Sequence, residues 1–278
     1  MSTQRQTATA LTRREHLRLA EVLSRAADHR TAITPLSVLY PEITAADAAR
    51  IRDSAIVRRI ARGEQLIGAK VSYGDATAGR ALEPRMGWLT DAMAIPNRPV
   101  DLSNLIRPRL EAKVAFVLGQ PLRRHVEGLG ELVELTERVL PCLEILDIRY
   151  QGVDIEPVDD IADNCAIARL LVQDGSPPSR PIPPADELVD IRVRLGGAPD
   201  DGLPRGQCPI KATLWLANQV VSEAGELDAG ALLVSSACCA PLGLMPGMRV
   251  SADFGPLGQL ELEAQADGKR SPHGQPGR

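Results

Sequence analysis

Aromatic side chains are scarce in this chain: two Trp, three Tyr and two Phe make up 3% of its 278 residues. Its core must therefore be built mainly from aliphatic side chains. A surplus of positive charge is also missing. Lys+Arg 32 against Asp+Glu 36 gives a formal charge of −4, without the basic stripe of a nucleic-acid binder. No apolar run approaches the roughly 20 residues of a membrane span, and the run Ala229–Val234 is interrupted by Gly230. The opening MSTQRQTATALTRREH carries charge but no apolar stretch of secretory length, so the expectation is a soluble, cytoplasmic protein with no nucleic-acid or membrane partner. Metal-binding spacings are absent as well. The cysteines at 142, 165, 208, 238 and 239 include no C-x-x-C pair, and His16, His29, His125 and His273 form no H-x-x-x-H or H-E-x-x-H. Reduced thiols are the default reading, and a zinc hydrolase is disfavoured.

What is present suffices for one large or two modest domains: 44% hydrophobic and 24% charged residues. Residues 1–10 are polar and read as frayed. Leu17, Leu19, Ala20, Val22, Leu23 and Ala26 recur at helical spacing between Thr12 and His29. Thr44-Ala-Ala-Asp47 reads as a capping box, Ala48, Ile51, Ala55 and Ile60 as the face behind it, and Gly63 as the stop. The texture then turns strand-rich. Strands are expected at 66–72, 111–118, 140–148, 189–195, 231–236 and 248–263. A turn into a strand is expected at 87–95 and another over 160–172, with helices at 128–139 and 210–224. The stretch 173–186 holds five prolines and is neither helix nor central strand. The expected class is α+β: an N-terminal helical region (1–65), a strand-rich body (66–266) and a disordered tail (267–278).

Three charged positions interrupt apolar strands: Lys70 in IGAKVS, Glu111 and Lys113 in EAKVAFVL, and Glu144 in PCLEILD with Asp147 close behind. Period-two geometry puts Glu111, Lys113 and Ala115 on one face and Val114, Phe116 and Leu118 on the other. Charges in such strands are costly unless paired or ligating. A structural ion pair of Lys113 with Glu111 or Glu144 and an active site both satisfy that condition, and the residues alone leave the two open.

The segments IGAKVSYGD, MGWLTDAM, IRPRLEAKVAFVL, VLPCLEILDIRY, DDIADNCA, TLWLANQV and RVSADFGPLGQLELE resemble, in order from about residue 15 to 265, the 2-keto-4-pentenoate hydratase / 4-oxalocrotonate decarboxylase family of the fumarylacetoacetate hydrolase superfamily. The resemblance implies an N-terminal helical region followed by a mixed β-roll of the fumarylacetoacetate hydrolase C-terminal type. It also implies a lyase of aromatic catabolism acting on 2-hydroxy-dienoic or 2-oxo acids, a homo-oligomer, and Mg²⁺ or Mn²⁺ at the mouth of the roll. A paired hydratase–decarboxylase complex is a further implied assembly. The family holds its metal with a Glu-x-Glu strand and a third Glu, which match Glu111, Lys113 and Glu144, so a lysine stands at one ligand position. The resemblance further makes Lys70 the acid–base group, Asp91 its partner or water activator, and Asp163, Asn164, Ser235 and Cys239 substrate-side residues. Three segments depart from the family pattern: Ser72-Tyr73-Gly74, the loop Ser235-Ser236-Ala237-Cys238-Cys239, and Gln207-Cys208-Pro209.

Lys113 changes the charge balance. Three carboxylates and a divalent ion sum to −1, and so do Glu111, Glu144 and protonated Lys113 with no ion. At 4 Å and an effective dielectric near 20 a unit pair is worth about 4 kcal/mol, and a divalent ion beside an ammonium about twice that in repulsion. The expectation is that Lys113 takes the metal's place or that metal binds weakly. Three readings follow. The first is a hydratase-like lyase, with GWLTDAM and PCLE on the hydratase side and LDIRY nearer the decarboxylase. The second is a metal-independent isomerase or cyclase on the same scaffold. The third is a non-catalytic partner subunit.

Overall fold

A computed structural model of the chain describes residues 11–73, 83–96, 99–152, 155–173, 182–197 and 208–266. Residues 1–10, Gly74, most of the proline-rich stretch, Gln207 and the tail lie outside the described residues. In chain order the helices are α1 (Arg13–Asp28), α2 (Leu36–Leu39), α3 (Ala45–Ala61), α4 (Leu129–Glu134), α5 (Pro157–Ala162), α6 (Ala185–Val189) and α7 (Pro209–Ala224). The strands are β1 (Leu66–Ser72), β2 (Arg85–Thr90), β3 (Val100–Asp101), β4 (Pro108–Leu118), β5 (Thr136–Asp147), β6 (Ile167–Val172), β7 (Arg194–Leu195), β8 (Leu232–Val234), β9 (Leu242–Gly243), β10 (Arg249–Asp253) and β11 (Gln259–Gln265).

The N-terminal helices begin at side-chain caps. Thr12 and Glu15 close a capping box on α1, and Thr44 and Asp47 close one on α3, as the sequence predicts for the second. Asp47 has a second role: buried between the two helices, it also meets His16 Nε2 at 2.8 Å and so ties α1 to α3. Gly63 follows the last turn of α3 at φ +101, the left-handed stop its position suggests. The apolar faces differ slightly from expectation. Leu17 and Ile60 are exposed, whereas Ile56 is buried. The helices do not close a core by themselves: Leu19, Leu23, Leu36, Ala48 and Ile51 pack with Tyr150 and Ala162 from the far side of the chain.

The body is a mixed sheet in the order β2-β1-β8-β4-β5-β6, with β9 also on β4, beside a smaller sheet β3-β11-β10-β7. β1 and β8 run parallel, and β4–β5 and β5–β6 antiparallel. The larger sheet curls until its two ends meet. Asn164, just before β6, donates to the Trp88 carbonyl of β2 at 2.8 Å and accepts from the Trp88 N–H at 2.7 Å. Beyond β2, Ala94 bridges Leu170 of β6. These links close the sheet into a roll, the architecture that the family resemblance implies.

Several elements differ from the sequence reading. The helix expected over 128–139 stops at Glu134 because Thr136–Val139 pair with Leu118–Phe116 of β4; two of these residues are β-branched or threonine, which suits a strand. The strand expected over 189–195 shrinks to Arg194–Leu195, since Pro184 starts α6 ahead of it. The turn into a strand expected at 87–95 comes in the opposite order: β2 runs to Thr90, and a 3₁₀ turn over Asp91–Met93 follows it.

Gly68 sets the distance between β1 and β8. Its φ is +150, and a Cβ there would lie 2.1 Å from the Leu232 carbonyl oxygen and 2.8 Å from the Leu232 nitrogen. Only a residue without a side chain allows the two parallel strands to pair at this point. Gly68→Ala is expected to destabilise the fold by about 3 kcal/mol, through overpacking against backbone and an unfavourable φ. Urea unfolding measures this, and a loss well below about 1 kcal/mol would mean that β8 yields freely.

Candidate active site

The roll gathers four of the charges that the strands carry. β4 and β5 place Glu111 directly opposite Glu144, and Lys113 opposite Cys142, so all four side chains share one face. Lys70 comes from β1. Three inter-strand spacings separate β1 from β5, roughly 14 Å in a flat sheet. Nevertheless Lys70 Nζ lies 2.6 Å from Glu144 Oε1. Only a strongly curled sheet brings these two residues together.

The strand between them explains where Lys113 points. β8 is three residues long; its last pairs are Val234 with Lys70 on β1 and Val234 with Ala115 on β4. After Val234 the chain follows β4 irregularly: Ser235 N–H donates to the Val114 carbonyl and Ser235 Oγ accepts from the Val114 N–H. On β1, Val71 is then the first residue past the pairing. Lys113 Nζ donates to its carbonyl at 3.3 Å, pairs with Glu111 Oε2 at 3.3 Å, and contacts Glu144 Oε2.

The result is a continuous chain of charge, Lys70–Glu144–Lys113–Glu111. Lys70, Lys113 and Glu144 have no exposed surface, and only Glu111, with 16% of its side chain exposed, reaches toward solvent. Two carboxylates and two ammoniums make the cluster neutral. Burial alone would lower the Lys113 ammonium, but the carboxylates of Glu144 and Glu111 outweigh it and the net shift is upward. Burial likewise raises the Glu144 carboxyl, and Lys113 and then Lys70 reverse this, leaving it lowered. Each Glu144 oxygen is matched by a nearby ammonium rather than by a well-aligned hydrogen bond.

Lys70 has a further contact that the sequence does not reveal. Its ammonium donates to the Cys165 carbonyl at 2.5 Å. Cys165 sits in a run of three left-handed residues, Asn164, Cys165 and Ala166, at φ 53, 53 and 57. Each non-glycine residue there costs on the order of 1 kcal/mol. The clamp of Asn164 on Trp88 holds this turn in place, so the strain aims a carbonyl at the buried lysine.

The other residues singled out from the sequence lie elsewhere. Asp91 is exposed and opens the 3₁₀ turn; its Oδ1 accepts from Gln65 and Ala92 N–H groups, at 3.0 and 2.8 Å. It stands at the Leu66 end of β1, roughly 13 Å along the strand from Lys70, so it is not brought to the cluster. Asp163 holds Arg149, with Arg149 Nε donating at 2.6 Å, and Asn164 holds β2. Both line a cleft of about 550 Å³ under α1 and α3 that none of the four cluster charges lines. Their place is that of residues that shape the roll, not residues facing the cluster. Ser235 is buried in its bond to Val114. Cys239 is half-buried, and burial with help from the Glu111 carboxylate raises its thiol.

Asp163 also titrates unusually: burial outweighs the Arg149 guanidinium and pushes its carboxyl up to about 6. A folded value above the unfolded one means that the folded state binds the extra proton between about pH 4 and 6. The contribution of Asp163 to stability therefore falls as pH rises through that window, by up to about 3 kcal/mol. A ¹³C carboxyl NMR titration is expected to show Asp163 with a midpoint near 6; an ordinary midpoint near 4 would refute it.

No family model matches the chain, but individual proteins do. The 2-oxo-hept-4-ene-1,7-dioate hydratase of Escherichia coli is 30% identical over 263 residues, covering 88% of this chain and 96% of that one. The 2-keto-4-pentenoate hydratase of Paraburkholderia xenovorans (strain LB400) is 28% identical over 255 residues, covering 89% and 94%. Among solved structures, 4-oxalocrotonate decarboxylase from Pseudomonas putida G7, complexed with magnesium and adipate, superposes with a TM-score of 0.77 at 26% identity, over 92% of this chain and 99% of that one. The residues present here do not fit such an ion. A hard divalent cation takes oxygen ligands, and a protonated lysine offers none. Both Glu144 oxygens already face ammoniums, and among the described residues no group of three or more His, Cys, Asp or Glu is placed to hold a metal. Among the described residues, no helix is long and apolar enough to cross a membrane. Order of motifs, fold and near full-length similarity agree: the chain belongs to the 2-keto-4-pentenoate hydratase / 4-oxalocrotonate decarboxylase family.

Proposed function

We propose that this protein is a cytoplasmic lyase of the hydratase type, acting on a 2-hydroxy-dienoic or 2-oxo acid in aromatic catabolism, as a homo-oligomer. The observation that carries the reading is the buried Lys70–Glu144–Lys113–Glu111 cluster, on the family's fold and at the positions the sequence resemblance assigns to the family's site. Hydration of a dienoic acid needs a dienol to become a ketone and water to add to the conjugated alkene. Both steps build negative charge on the 2-oxygen, and preorganised positive charge is what lowers such barriers.

Glu111 is the member of the cluster that has exposed surface, so it is the group that meets the substrate and carries the proton. When its carboxylate takes a proton, the cluster passes from neutral to +1, beside an enolate at −1. At that moment Glu111 loosens its hold on Lys113, and the ammonium, still held by Glu144 and the Val71 carbonyl, has one N–H left for the developing oxyanion. Lys70, fixed by Glu144 and the Cys165 carbonyl, keeps Glu144 ionised from behind. Decarboxylation of 4-oxalocrotonate passes through the same enolate, and the structural similarity to a decarboxylase makes it the second reading.

Turnover of 2-hydroxypenta-2,4-dienoate, followed by loss of dienol absorbance, is the expected activity. Glu111→Gln, a near-isosteric change at a partly exposed position, is expected to lower kcat by about 10²-fold or more with KM changed little. Failure of the wild type on both the dienoate and 4-oxalocrotonate would overturn the proposal. Full activity of Glu111→Gln would remove Glu111 from it.

A further inference from the structure

We infer that the ammonium of Lys113 is the resident cation of this site, standing where a relative holds a divalent metal, and that the chain's chemistry runs without one. The inference rests on the family assignment of the site, not on the identity of the substrate.

Three observations carry it. First, the Lys113 ammonium has three oxygen neighbours, the Glu111 and Glu144 carboxylates and the Val71 carbonyl, one for each of its protons. That is the donor arrangement a small cation would take, already satisfied by a cation that is part of the chain. Second, the four charges sum to zero without an ion. A divalent ion would bring a largely buried cluster to +2, against the requirement that buried charge be compensated. Third, Glu144 has no oxygen to spare, since Lys70 faces its other one at 2.6 Å. The termination of β8 at Val234 and the Val71 carbonyl beyond it fix the ammonium in this place, so it is built into the sheet rather than attracted to it.

The replacement changes which substrates suit the site. A metal ion chelates a carboxylate and a neighbouring 2-oxygen together, whereas an ammonium is a single point charge with no open coordination position. The ligand class it suits is an enolisable acid whose carboxylate is anchored outside the cluster, leaving one developing oxyanion for Lys113.

The test measures metal directly on the full-length chain after dialysis against EDTA. Mn²⁺ is titrated by electron paramagnetic resonance of the free ion and Mg²⁺ by calorimetry, on wild type, Lys113→Glu and Lys113→Gln. Wild type is expected to show no saturable site up to about millimolar metal. Lys113→Glu, which restores a third carboxylate, is expected to bind Mn²⁺ roughly a hundredfold tighter or more. A Lys113→Glu chain that folds only when Mn²⁺ is added counts as the same result. Lys113→Gln, which removes the charge and keeps a polar side chain, is expected to bind roughly tenfold tighter than wild type, and it serves if the glutamate variant does not fold at all. Stoichiometric, micromolar binding by the wild type would overturn the inference whatever the variants do. So would folded variants that bind no better than wild type, because the ammonium would then not be what excludes the ion. If wild type binds no metal and the variants do, but no 2-oxo acid is turned over, the proposed function fails and the assignment of Lys113 as the resident cation stands.

Discussion

Charge neutrality inside a closed roll is the constraint on which the rest of this structure depends. Four ionised side chains, three of them with no exposed surface, cost more to desolvate than any pair of them returns, unless each finds a partner at short range. Here each does, and the pairing runs across three strands: β1 supplies one lysine, β4 the other with Glu111, and β5 the glutamate that both lysines share. Removing one member would leave an uncompensated buried charge, at about 3–5 kcal/mol. An apolar interior of the same shape would be no less stable, so stability alone does not account for the cluster.

The backbone bends to serve it. A left-handed run of Asn164, Cys165 and Ala166 is unfavourable at every residue, yet it delivers the one carbonyl that Lys70 takes. The asparagine at its start is also the clamp that joins the ends of the sheet. Gly68, two residues before Lys70, lets β8 approach so closely that no side chain fits. The Gly-x-Lys spacing therefore has a mechanical meaning: the glycine sets how near β8 comes, and the lysine follows at the last paired position before β8 ends.

How much of this was legible in the sequence differs from element to element. β1 was readable to the residue, because LIGAKVS is a short apolar run between polar flanks and needs no partner to be recognised. The caps of α3 were readable because capping is local chemistry. The shared face of Glu111 and Lys113 followed from the period of a strand, and Glu144 was visible as a charge in an apolar run. What lay beyond reach was everything set by closure. No local signal says that Thr136–Val139 will leave a helical pattern to pair with β4. None says that Asp91, which sequence alone leaves open to a turn role, ends at the far end of β1, or that Asp163 and Asn164 face a different cleft. A family pattern aligns residues along a chain, whereas the roll decides which of them face one another.

That distinction bears on what one substitution does to a site of this kind. If position 113 carried a carboxylate, the cluster would be at −2, a standing demand for a divalent cation that only the solvent could meet. With a lysine there, the same positions are neutral when folding is complete, and no bound ion is required to pair the charges. On the proposed function, control of the site would pass from an exchangeable ion to Glu111, the one member with a surface. A proton taken there would unbalance the cluster by a single charge. Proton removal from the substrate would thereby be coupled to the appearance of the positive charge that stabilises its product.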